Sequence, residues 1–146
     1  MSDIWQFQQA LTRRLAFWAA GSILLGLGML LFRDPFWNGM AFQFIGWGLV
    51  DLLIAWGGAS GSRKRRARLT VEQAAAAAPA EARNLRRILW INTGLDVLYM
   101  LGGVLAAVFP GDSNPLWLGT GIGIFIQGAF LFFFDWFHAV QARKLA

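Results

Sequence analysis

Cysteine is absent from this chain, and its absence closes several routes at once. No disulfide staples the fold, no thiolate ligates a metal, and no paired-thiol redox chemistry is available. Histidine is nearly as scarce: the single copy, His138, excludes bis-histidine haem within one chain. Charged residues make up only 14% of the 146 positions. No hydroxyl side chain has a base at useful spacing, so nucleophilic hydrolysis has no support. Gly119, Gly121 and Gly123 lie inside an apolar run with no strand before them, which excludes a nucleotide fingerprint. Asp135 and His138, three residues apart, would need further ligands to hold a metal. The sequence therefore offers no catalytic residue, no metal site and no cofactor signature, and a non-enzyme is the favoured class.

What the chain has in abundance is apolar length. Four runs, Leu15 to Phe32, Phe36 to Trp56, Ile88 to Phe109 and Leu116 to Phe137, each supply the roughly 20 residues that cross a hydrocarbon core about 30 Å thick. The expectation is an all-α integral membrane protein, a four-transmembrane-helix bundle with little length left for a soluble domain. The first run is too long, and lacks the small-residue cleavage site, to read as a removable signal.

Charge distribution orients it. Arg13 and Arg14 precede the first run, a basic series from Arg63 to Arg87 separates the second from the third, and Arg143 with Lys144 follow the fourth; only Arg33 falls on the other side. The positive-inside rule then puts both termini and the long basic loop in the cytoplasm of a bacterial inner (plasma) membrane. The basic loop is expected to lie against anionic headgroups rather than nucleic acid. Most of the eight tryptophans flank the runs as an interfacial belt would, with Trp47 the exception deep inside one.

The expected organisation is an N-terminal cytoplasmic or interfacial helix over residues 1–14, a first transmembrane hairpin over 15–57, a basic cytoplasmic loop over 58–87, a second hairpin over 88–138 and a tail over 139–146. Within the loop, Thr70 and Gln73 form a capping box that opens a short alanine-rich helix, and Pro79 is expected to interrupt it and restart the chain near Ala80. A faint repeat relates the hairpins. Arg13, Arg14, Trp18 and Gly21 echo Arg86, Arg87, Trp90 and Gly94, while Trp37, Gly39 and Gly48 echo Trp117, Gly119 and Gly128. The many glycines in the runs suit close helix packing in lipid, within the chain or in a homo-oligomer or larger membrane complex.

The residues that stand out chemically are the acids. An Asp at a span centre costs about 2.5–3.5 kcal/mol on insertion scales, yet Asp51 and Asp96 fall at similar depth within runs, and Asp135 lies nearer an end. Asn92, Asp96 and Tyr99 share a face of the third helix at i, i+4 and i+7. Gln127, Asp135 and His138 are read as one face of the fourth, and Gln43 with Asp51 as one face of the second. The economical arrangement turns these stripes toward one another as a polar interior open to the cytoplasm. Asp51, Asn92, Asp96, Tyr99, Gln127 and Asp135 are thus the candidate ligand- or ion-binding residues, with no lysine or arginine inside a span to neutralise the acids. Two readings stay open. The stripes bind or transport a small cation, proton or polar solute, or they form a satisfied network that fixes helix register in a non-catalytic structural or accessory subunit. In size the chain resembles the small multidrug transporters and the fluoride channels, and in size and span count the membrane glutathione-linked enzymes, but it lacks the first-span glutamate of the first, a pore motif of the second and the Arg, His, Asn and Glu constellation of the third.

Overall fold

Two turn sequences of one design start the even-numbered helices. Asp34 accepts a hydrogen bond from the Phe36 amide (2.9 Å) and Asn114 accepts one from the Leu116 amide (3.0 Å), each followed by a proline at the first helical position. Such a cap satisfies a free amide, and proline there lacks an amide to satisfy. The computed structural model describes residues 3–145 as α1 (Ile4–Met29), α2 (Pro35–Ala67), α3 (Val71–Val108) and α4 (Pro115–Ala142) with short 3-10 turns, and no strand occurs among the described residues. All four helices are long and apolar enough to cross a membrane. Met1, Ser2 and Ala146, the ends of the expected N-terminal helix and tail, lie outside the described residues.

The expected loop over 58–87 is instead almost wholly helical. Helix α2 runs on through Gly57, Gly58 and Gly61 to Ala67, because no proline stops it and Lys64, Arg65 and Arg66 in its last turn complement the negative end of the helix. Only Arg68 to Thr70 separate it from α3. The capping box forms as expected, with Thr70 accepting from the Gln73 amide (3.2 Å) and Gln73 accepting from the Thr70 amide (3.0 Å). Pro79, however, does not interrupt: it lies inside one helix of 38 residues. The proline removes one backbone bond, to the carbonyl four residues back, and both Pro79 and Ala75 are exposed, so water can take that acceptor.

Glycines set how the helices meet. Gly26 faces the backbone of Ala41 and Ile45, joining α1 to α2; Gly103 faces Gly121 and Phe125, joining α3 to α4. Gly48 faces Ala19 and Ile23, and Gly128 faces Asp96 and Met100. The shift in numbering that carries Trp37 onto Trp117 carries Ala41, Ile45 and Gly48 onto Gly121, Phe125 and Gly128. The shift that carries Gly26 onto Gly103 carries Ala19 and Ile23 onto Asp96 and Met100. These four glycine contacts therefore pair off, two in each hairpin. Between the hairpins, Gly39 packs on Leu116 and Thr120 while Gly119 packs on Phe36 and Met40, a reciprocal crossing of α2 and α4 at the end away from the basic clusters. The echo of Arg13, Trp18 and Gly21 in Arg86, Trp90 and Gly94 is out of step with this packing by four or five residues, about one helical turn. Gly21 and Gly94 both face open space.

The buried apolar clusters concentrate toward the basic end: Ile4 and Trp5 with Ala74 and Ala82, then Leu11, Leu89 and Ala139, then Leu15, Ala55 and Leu131. Large apolar side chains such as Leu24, Leu53, Leu98 and Phe133 lie exposed on the outside, far more apolar surface than a water-soluble monomer presents.

Candidate functional site

Close packing joins α1 to α2, α2 to α4 and α4 to α3, but α2 and α3 share no such contact. A cleft of about 350 Å³ lies between them, within the size of ordinary small-molecule sites, ~300–1,000 Å³. Trp47 and Tyr99 line it, their rings 4.9 Å apart and steeply inclined. Its rim is apolar and exposed: Val50 and Ile54 on α2, Ile88 and Leu95 on α3. Toward the basic end it reaches Arg65, Glu81 and Asn84. There Arg65 and Glu81 form an ion pair (3.1 Å) between α2 and α3, and Gln8 of α1 donates to Glu81 (3.3 Å) while accepting from Ser62.

Asp51, Asp96 and Asp135 all line this cleft. Asp51 is 1% exposed and Asp96 3%, and in each the Oδ2 atom is buried with no hydrogen-bond partner. Buried polar atoms are nearly always paired, and a carboxylate left unpaired is especially costly. The one basic side chain in the lining, Arg65, is already engaged by Glu81. Asn92 also lines the cleft and stands beside Asp135. Among the described residues, no three His, Asp or Glu side chains are grouped to hold a metal ion.

Of the six residues singled out by sequence, five meet here, and Gln127 does not. It is fully buried and turned to α1, where its Nε2 donates to Ser22 Oγ (2.8 Å) and its Oε1 accepts from Trp18 Nε1 (3.3 Å); Ser22 Oγ in turn donates to the Phe44 carbonyl (2.8 Å). The assumption of one face for Gln127 and Asp135 fails on helical geometry, since eight residues at 3.6 per turn leave the two about 80° apart. Gln43 and Asp51 separate for the same reason: the Gln43 stem lies against Gly123 of α4. His138 is buried among Phe7, Phe134 and Phe137. Its Nδ1 donates to the Phe134 carbonyl (2.7 Å) and its Nε2 accepts from Arg14 (3.2 Å), a neutral tautomer fixed by packing. Sequence reasoning passed over the rim residues and the Gln8, Arg65 and Glu81 group. Trp47 was the visible signal, because an interfacial anchor has no reason to sit in mid-span.

The seam between α1 and α4 occupies positions equivalent to this cleft. The two shifts carry Trp47 and Tyr99 onto Gln127 and Ser22, Val50 and Leu95 onto Phe130 and Trp18, and Asp51 and Asp96 onto Leu131 and Ala19. Where the cleft is open between Val50 and Leu95, Trp18 and Phe130 stack face to face at 3.5 Å and 7°. Where two acids line the cleft, Leu131 and Ala19 are buried apolar residues. The acids are thus confined to one of two equivalent seams.

A family model described as a family of unknown function (DUF6992) matches residues 14–136. No curated protein and no solved structure matches the chain.

Proposed function

We infer the function of this chain, which belongs to the DUF6992 family of unknown function, from its cleft: an integral, multi-pass protein of a bacterial inner membrane, both termini cytoplasmic, that binds a cationic group or protons at Asp51 and Asp96 and moves them along the cleft between α2 and α3. The observation that carries this reading is the pair of buried carboxyl oxygens without partners on the wall of an open cavity. In a low-dielectric setting such groups persist only when a proton, a cation or water completes them. A network that served helix register alone would be satisfied internally, as Gln127 and Ser22 are. Asp135 and Asn92 extend the polar wall toward the basic end, where exposed Asn84 and Arg65 admit water.

The missing cysteines make the test direct. Single Asn92→Cys, Asp96→Cys and Tyr99→Cys variants are probed with a membrane-impermeant thiol reagent, with Val97→Cys on the outer face as control, and proton and small-cation flux is measured in proteoliposomes. The expected result is labelling of the first three and not the control, with flux lost in Asp51→Asn and Asp96→Asn. Protection of all three, together with flux unchanged by either asparagine, would overturn the reading in favour of an accessory subunit.

A further inference from the structure

We propose that the ligand of this cleft is an amphiphilic organic cation, an ammonium head group on an apolar chain, which enters sideways from the lipid between α2 and α3; the proposal rests on the carboxyl-site reading above and adds the class of ligand and its route.

Three independent features of the cleft converge on that chemistry. The first is charge. Asp51, Asp96, Asp135 and Glu81 line the cavity against Arg65 alone, and Arg65 is held by Glu81, so the lining is net acidic in a chain whose net charge is +5. An anionic or zwitterionic lipid head group with a phosphate would meet only carboxylates at the depth of Asp51 and Asp96. The second is aromatic. Trp47 of α2 and Tyr99 of α3 meet across the cleft with their ring planes inclined at 62°, aromatic rings in the same lining as the acids, and ammonium groups are attracted to aromatic faces as well as to carboxylates. The group spacing does not suit a bare metal ion, whereas an alkylammonium spreads its charge over methyl or methylene groups and needs no close ligand cage.

The third feature is the rim. A site for a compact, water-soluble cation would be walled from lipid on its long side. Here that side is bounded by Val50, Ile54, Ile88 and Leu95, which belong to the cleft and are exposed on the outside of the bundle. The equivalent seam between α1 and α4 supplies the control within the same molecule. There Trp18 and Phe130 fill the positions of Leu95 and Val50 with a stacked pair, and Ser22 hydrogen-bonds Gln127 in place of Tyr99 and Trp47. Smaller side chains at the rim of the acidic seam leave open the volume that two aromatic rings fill in the other. An apolar chain leaving the head group fits that gap and continues into the hydrocarbon. The head group reaches water through the basic end, past Asn84 and the Arg65–Glu81 pair.

The test is saturable binding of radiolabelled dodecyltrimethylammonium to the full chain in phosphatidylcholine nanodiscs, with unlabelled tetramethylammonium, dodecyltrimethylammonium and dodecyl sulfate as competitors. The expected result is saturable binding in which tetramethylammonium competes at least 100-fold more weakly than the long-chain cation and dodecyl sulfate does not compete. Asp51→Asn and Asp96→Asn are expected to weaken binding at least tenfold. Leu95→Trp, which fills the rim and leaves every acid in place, is expected to abolish long-chain binding while the thermal midpoint stays at or above that of the parent. Equal competition by tetramethylammonium, or full long-chain binding in Leu95→Trp, overturns the lateral amphiphile and leaves the carboxyl site standing. Absence of saturable binding overturns it too, and the thiol-labelling and flux measurements then decide the carboxyl site separately. Binding that is indifferent to both asparagine variants overturns the ammonium head group.

Discussion

The two helix seams of this bundle use equivalent positions for opposite ends. Between α1 and α4, Trp18 stacks on Phe130 at 3.5 Å and Gln127 is fully spent on Ser22 and Trp18; between α2 and α3, Val50 and Leu95 leave a cleft and two carboxyl oxygens lack partners. One seam closes with every polar atom of its central pair satisfied, and the other stays open, lined by two acids each of which holds a buried oxygen without a partner. The acids are therefore not a general requirement of this packing scheme. The same backbone arrangement is held at the other seam by an amide, a hydroxyl and two rings, so acids at Asp51 and Asp96 answer a need other than holding helices together.

The correspondence rests on the crossing where the hairpins meet, so breaking that crossing is expected to have the largest effect. A methyl at Gly39 would collide with the Leu116 carbonyl, and one at Gly119 with the Phe36 carbonyl. Both neighbours are backbone and cannot rotate away, so overpacking here exceeds the usual cost of about 1–3 kcal/mol. Gly39→Ala and Gly119→Ala are each expected to abolish a monodisperse, thermally cooperative species in detergent. Gly46→Ala, with nothing near its added methyl, is expected to melt within experimental error of the parent. Wild-type melting of Gly39→Ala would sink the proposed crossing.

Exchanging the contents of the seams comes next. Trp18→Leu with Phe130→Val writes the rim of the open seam into the closed one, removes the stack, and leaves Gln127 without its indole donor. Large-to-small changes at buried aromatics cost roughly 3–5 kcal/mol, and at these half-buried positions the lower part of that range is expected, read as a drop in the thermal midpoint. The reverse exchange, Leu95→Trp with Val50→Phe, is expected to leave the midpoint unchanged or raise it, since a stacked pair contributes about 0.5–1.5 kcal/mol beyond its buried area. A fall of similar size in both directions would show that the seams are not interchangeable and that the equivalence of positions is accidental.

Much of this was legible in the sequence, and the boundary of legibility has physical causes. Apolar length announces the four helices, and the spacing of Asn92, Asp96 and Tyr99 puts them on the wall they share. The helical continuity of residues 58–67 was hidden because three glycines and a basic run read as a loop, although none of them stops a helix whose end lies beyond the apolar run. Pro79 misleads for a related reason: one lost backbone bond at an exposed turn is too small a penalty to break 38 residues. The faces of α2 and α4 were misjudged where an eight-residue spacing was taken as whole turns, which sent Gln127 to the wrong seam. The repeat was visible in α2 and α4 but set one turn out of step in α1 and α3, because arginine and tryptophan mark depth in a membrane whereas Gly26 and Gly103 mark contact. Only contact obeys the shared geometry.

The smallest expected effect tests the same equivalence at its plainest point, the two caps. Asp34 and Asn114 occupy equivalent positions, precede equivalent prolines, and accept from the amides of Phe36 and Leu116 at 2.9 and 3.0 Å. The backbone before them differs: Arg33 is left-handed, with φ of 52°, while Ser113 has φ of −115°. If each cap acts locally, Asp34→Ala and Asn114→Ala each cost about 1 kcal/mol, and the double variant costs their sum, because sites without shared partners add. If instead the caps steer how the hairpins approach one another, the crossing at Gly39 and Gly119, less than two turns into each helix, couples them and the double variant departs from additivity. Thermal midpoints of the four species in one detergent measure the difference. Additivity assigns the likeness of the two turns to local capping alone, and coupling assigns it to the crossing on which both seams depend.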